Sequence, residues 1–318
     1  MAAMNRRATF ALGLALAGLF AQPLSAQDAP KELRIGYQKA GLPVIARQQA
    51  SIEKRLAPQG TNVRWVEFTA GPPLLEAMNV GSVDLGWTGD APPIFAQAAG
   101  ASIVYVAALP SNGAGEAVIV KKDSPIRTLA DLKGKKVGFT KGSSSHNLTV
   151  VALERGGVAY SDITPIYLSP ADAAAAFARD SIDAWTIWDP FLAIAQGRHE
   201  PRLLVSSKEA LKVNTFFLAN KGFAANNGGS IDLVLKGLGE AATWADANRP
   251  AVAQALHEVT GVELAAQTLA ADRTEFAVLP ITAEIIANQQ ETADRFHKLG
   301  LIPRAITVRD AVWTRPQG

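Results

Sequence analysis

Lys136-Val137-Gly138-Phe139-Thr140-Lys141-Gly142-Ser143-Ser144-Ser145-His146-Asn147 is the stretch on which the fold turns. It reads as a buried strand over 137–140 that passes through a glycine into three consecutive hydroxyls and then a helix over 145–156. A helix start carries backbone N–H groups without partners and the positive end of a dipole. One serine is enough to cap it. Three serines behind a glycine add neutral donors that can surround a small oxyanion, such as a weakly hydrated sulfonate.

The same strand-to-helix step recurs along the chain. Strands are expected at 33–37, 63–68, 84–88, 103–108, 116–121, 163–168, 183–187, 203–206 and 215–219, with amphipathic runs at 43–56, 72–78, 92–99, 170–179 and 190–196. From 231 almost to 295 the pattern is helical. This alternation is that of an α/β fold. Pro110-Ser111-Asn112-Gly113-Ala114-Gly115 interrupts it as a linker, after which the alternation restarts. Ser82-Val83-Asp84 and Ser181-Ile182-Asp183 form a short repeat, and the strands that follow end at Asp90-Ala91-Pro92 and Asp189-Pro190. In both places an acid precedes a proline at a helix start. The expected architecture is two like lobes, 31–112 plus 220–318 and 113–219, with chain crossings near 110–116 and 215–222. A ligand then sits between them, beyond the carboxyl ends of the strands, and a hinge closes the lobes over it.

Arg6 and Arg7, an eleven-residue apolar run over 10–20 and Leu24-Ser25-Ala26 form an export signal with cleavage expected after Ala26. The apolar run is too short to span a bilayer. The paired arginines do not by themselves decide between the general and twin-arginine routes. The chain has no cysteine, which removes disulfides, thiolate metal ligands, a cysteine nucleophile and the lipidated cysteine of an anchored exported protein. Removing the leader's two arginines from 31 basic residues leaves 29 against 29 acids. That neutral balance argues against a nucleic-acid or membrane-surface role. The four histidines, 146, 199, 257 and 297, have no metal-ligand spacing, and no cofactor motif or P-loop is present. A periplasmic location is expected.

Leu33 to Lys39, Ala77 to Gly86, Thr88 to Ala98, Lys141 to Asn147 and Ala184-Trp185-Thr186-Ile187-Trp188-Asp189-Pro190 together resemble the aliphatic sulfonate-binding proteins of ABC importers. That group also includes taurine-, nitrate- and thiamine-precursor-binding proteins. The resemblance covers the whole mature chain and is strongest over 33–191. It implies a type II periplasmic binding protein: a two-lobed "Venus flytrap", monomeric and not an enzyme, that delivers a sulfonate to an inner-membrane permease for sulfur acquisition. The alternatives are a relative for taurine, nitrate or a thiamine precursor, an enzyme on the same fold, and a regulator's effector domain. Enzymes of this architecture are expected to carry a reactive cysteine, which the chain does not have, and a regulator needs a DNA-binding element where residues 1–30 supply a leader.

With the resemblance, Ser143, Ser144, Ser145 and the backbone of His146 and Asn147 are expected to hold the oxyanion. Gln38, Thr88 and Gly89, at the carboxyl ends of their strands, are expected beside it. Trp185 and Trp188 face opposite sides of a regular strand, so Trp188 is expected against the ligand's tail and Trp185 in the core. Of Phe216 and Phe217, one is expected to line the cleft. Glu116 reads most simply as a solvated strand end; inside the cleft it could meet a cationic group, as in an amino-sulfonate. Asp90 and Asp189 read as helix caps, with Asp189 also a candidate neighbour of the ligand. Trp87 stands where a small residue is expected and either narrows the cleft or faces the core.

Overall fold

The computed structural model describes residues 29–315. The expected leader lies outside them. Ten strands form two five-stranded sheets. In the first, β1 (Glu32–Tyr37), β2 (Asn62–Glu67), β3 (Leu85–Thr88), β4 (Ile103–Pro110) and β10 (Asn214–Asn220) run in the order β2-β1-β3-β10-β4. In the second, β5 (Glu116–Val120), β6 (Lys136–Phe139), β7 (Thr164–Tyr167), β8 (Ala184–Trp188) and β9 (Arg202–Ser206) run in the order β7-β6-β8-β5-β9.

The two sheets have one plan. Each has a parallel core, and each receives one antiparallel strand in its fourth place, β10 in the first sheet and β5 in the second. The sequence repeat is the pin of that plan. Asp84 accepts the Arg34 amide at 2.8 Å and the Arg34 guanidinium at 2.6 Å, while Asp183 accepts the Lys136 amide at 2.7 Å. In both lobes the acid that opens the third parallel strand ties down the start of its neighbour.

The structure corrects one boundary. The strand expected with the second lobe at 215–219 pairs between β3 and β4 of the first sheet, so the chain has already returned by Asn214. Each sheet is covered by helices on both faces, which is why β4 and β5 are buried almost throughout. Leu33, Ile35, Phe217 and Leu238 belong to the core on one face of the first sheet, and Leu74, Ile94, Phe216 and Phe296 to that on the other. Val118, Phe139 and Leu148 on one side and Ile119, Trp185 and Ile187 on the other do the same for the second. No helix among the described residues is long and apolar enough to cross a membrane.

Candidate functional site

A cavity of about 150 Å³ is lined by Gly89 and Asp90, just after β3, and by Ser143 and Ser144, just after β6. The helix Ser144–Arg155 opens directly onto it. Gly142, with φ +72°, turns the chain from β6 into that helix. Ser143 stands at the cap position, but its hydroxyl does not cap; it donates to the Thr140 carbonyl at 2.7 Å and pairs with the Ser145 hydroxyl at 2.8 Å.

The helix's phase sorts the five expected oxyanion residues. Ser143 and Ser144 line the cavity; Ser145, His146 and Asn147 do not. The amides of His146 and Asn147 are taken by the Ser143 carbonyl, at 3.0 and 3.4 Å. Their side chains instead join the lobes behind the cavity. Asn147 donates to Asp90 at 2.6 Å. His146 stacks on Phe139 at 4.9 Å between centroids and meets Phe95 and Phe296 of the other lobe at 5.6 and 5.4 Å. Burial, with Lys141 nearby, pushes its pKa down to about 3, so the ring is neutral where it accepts from the Gly142 amide.

From the first lobe, Gln38 and Gly89 line the cavity, whereas Thr88 is fully buried and donates to the Gly89 carbonyl. Gln38 donates one amide hydrogen to the Trp87 carbonyl at 3.0 Å and keeps the second. Gly89 faces Ser144 so closely that a Cβ there would stand 2.9 Å from the serine's Cβ. Trp87 lines the cavity and donates to the Thr215 hydroxyl at 2.8 Å. Trp188 lines it and Trp185 is core, as their parity requires. Phe216 and Phe217 are both buried, which corrects the expectation that one faces the cleft; β10 lies in mid-sheet with helices on both sides.

Glu116 is a further correction. It is not a solvated strand end: only 9% of it is exposed, and it lines the cavity. Antiparallel pairing with β8 sets it opposite Trp188. Its Oε2 accepts from Ser207 at 2.7 Å. Burial, reinforced by Asp90, pushes its pKa up to about 7 against the pull of Ser144 and Ser207. Asp90 caps its helix through the Ala91 amide and is raised by burial to about 6. Asp189, also raised by burial to about 6, accepts the Ala193 amide and faces Arg273 at 3.3 Å.

Arg273 escaped sequence reading. It ends the helix Leu264–Arg273 in a long helical tail where nothing local marks it. The structure carries it to Asp189 and to Gln196, at 2.6 Å, in the opposite lobe. Among the described residues no acid–histidine cluster could hold a metal ion.

The family described as NMT1/THI5 like matches residues 57–251. A relative from Escherichia coli (strain K12), named an aliphatic sulfonates-binding protein, is 43% identical over 96% of this chain and 96% of its own. The crystal structure of the periplasmic aliphatic sulphonate binding protein SsuA from Escherichia coli superposes with a TM-score of 0.82 at 42% identity, covering 91% of this chain and 94% of that one. The alkanesulfonate-binding protein SsuA from Xanthomonas axonopodis pv. citri, solved bound to MOPS, gives 0.86 at 42% identity, covering 90% and 99%. With the family match running from the second strand through the whole second sheet and back into the first lobe, the chain belongs to the NMT1/THI5 like family.

Proposed function

We propose that this protein captures aliphatic sulfonates between its lobes in the periplasm and delivers them to the permease of an ABC importer for sulfur acquisition. The lobes in this reading are residues 31–112 with the chain from 214 onward, and 113–213. The observation that carries it is the helix start at Ser143–Ser144, which opens onto the interlobe cavity and offers a hydroxyl and backbone N–H groups to an oxyanion. Gln38 adds a neutral donor from the facing lobe. Trp87, Trp188, Leu42 and Leu256 supply apolar wall for an alkyl tail. The relatives' names support the same ligand class.

The mechanism is passive. The open form takes the anion on the second lobe's helix start, Gly89 closes against Ser144, and the permease reads the closed shape. A thermal-melt panel tests this, with alkanesulfonates, an arylsulfonate, nitrate, sulfate and a thiamine precursor on the purified protein. A ligand at about 100 times its dissociation constant adds roughly 2.7 kcal/mol, several degrees at this size. Stabilisation by alkanesulfonates is expected; a response to nitrate or the thiamine precursor alone moves the substrate, and silence from every ligand overturns the reading.

A further inference from the structure

We propose that the cleft selects sulfonates that also carry an ammonium group, and that Glu116 is the residue that receives it. This deepens the sulfonate reading and rests on it.

The charge around the cavity is the wrong sign for a simple anion. Asp90, Glu116, Asp189 and Glu275 line it, and among the described residues Arg273 is the single cationic side chain that does. Most of these acids are accounted for. Asp189 faces Arg273. Asp90 accepts from Asn147 and the Ala91 amide. Glu275 is exposed to water. Glu116 differs: Oε2 has the Ser207 hydroxyl, but Oε1 is buried with no hydrogen-bond partner among the described residues. A buried carboxylate with an unpaired oxygen is costly unless a donor or a cation meets it.

The neighbourhood says which kind of donor fits. Trp188, directly across the strand pair, shares Glu116's face of the sheet and lines the same cavity. A carboxylate beside an aromatic wall is a cation's environment, since ring and acid attract it together. Ser144 lies beside Glu116 as well as at the oxyanion site. Anion and cation subsites are therefore adjacent, which suits a compact zwitterion with a short methylene spacer.

The protonation of Glu116 makes this testable in solution. The charged group that acts on it is Asp90; Asp189, Arg273 and Glu275 line the same cavity, and Ser144 and Ser207 are its neutral neighbours. A simple alkanesulfonate favours the protonated acid and binds less well as pH rises through about 7. An amino-sulfonate favours the carboxylate, so its advantage grows over the same range.

Calorimetric titration of the purified protein with 3-aminopropane-1-sulfonate and butane-1-sulfonate, near-isosteres, decides it. At about pH 8 the amino-sulfonate is expected to bind tighter by roughly tenfold, with the ratio shrinking towards about pH 6. Glu116→Gln is expected to erase most of the ratio. Butanesulfonate that binds as tightly at the higher pH, or a ratio that survives Glu116→Gln, overturns the ammonium site while leaving the sulfonate reading in place. Binding of neither compound overturns both. If Glu116→Gln fails to fold, the wild-type ratio and its pH dependence discriminate by themselves.

Discussion

Glu116 is charged in neutral water but holds its proton up to about pH 7 in the folded cleft, so its proton is tied to folding. Its folded pKa of about 7 lies above the ordinary carboxylate value. Its contribution to stability is therefore fully present at acid pH and is lost as pH rises through about 7. Glutamine does not titrate. The melting temperature of Glu116→Gln should gain on the wild type from about pH 5 to about pH 8 by roughly 2–4 °C in the unliganded protein. A constant gap would mean that the acid is already ionised when folded. At the oxyanion site, Ser144→Ala should weaken alkanesulfonate binding roughly tenfold or more, because a hydrogen bond to a charged group is worth about 1.5–3 kcal/mol; unchanged affinity by calorimetry would remove this hydroxyl from the site. Position in the chain was enough to find this helix start, since glycine and consecutive serines mark it. Which residues of the run face the ligand was not legible, because that depends on the helix's rotation: Ser144 looks into the cavity while His146 and Asn147 turn towards the other lobe. Arg273 was illegible for another reason. Its partner Asp189 lies 84 residues away in the opposite lobe, and no local pattern encodes that meeting.

At the scale of elements, strand identity could be read and strand partnership could not. Alternation and β-branched runs mark β10 as a strand, but they say nothing about the slot between β3 and β4 that it fills. The Ser-x-Asp repeat was the exception, since the acid's position before a strand reflects a role that both lobes need. Asp84→Ala should cost roughly 2–4 kcal/mol in denaturant unfolding, because it strands the Arg34 amide and leaves a half-buried guanidinium without its partner. The linker glycine has a comparably definite duty. Gly113 has φ +70°, and a Cβ there would stand 2.4 Å from the Lys208 nitrogen. Gly113→Ala should cost at least about 1–2 kcal/mol from the backbone alone, read as a lower melting temperature; an unchanged melt would show that the crossover relaxes freely.

For the whole molecule, closure is the functional event, and its contacts are spread around the cleft. Asn147–Asp90 and the aromatic pack around His146 lie behind the cavity, Arg273–Asp189 lies at its side, and Arg295–Glu154 and Arg198–Glu263 lie outside it. Arg198–Glu263 is largely exposed and contributes little. Gly89 meets Ser144 with no room for a Cβ between them. Gly89→Ala should leave both cores intact and obstruct closure, so small-angle scattering with saturating alkanesulfonate should show a wider particle than the wild type and calorimetry a weaker ligand. Equal compaction would mean that the lobes adjust around the added methyl. The crossings have a consequence of another kind. Pro110 and Asn214 are registered partners on adjacent antiparallel strands, so the chain departs for the second lobe and comes back at neighbouring points. The whole of the second sheet is thus a continuous cassette spliced into one hairpin, and it can be exchanged between relatives at those two positions without rethreading the sheet that receives it.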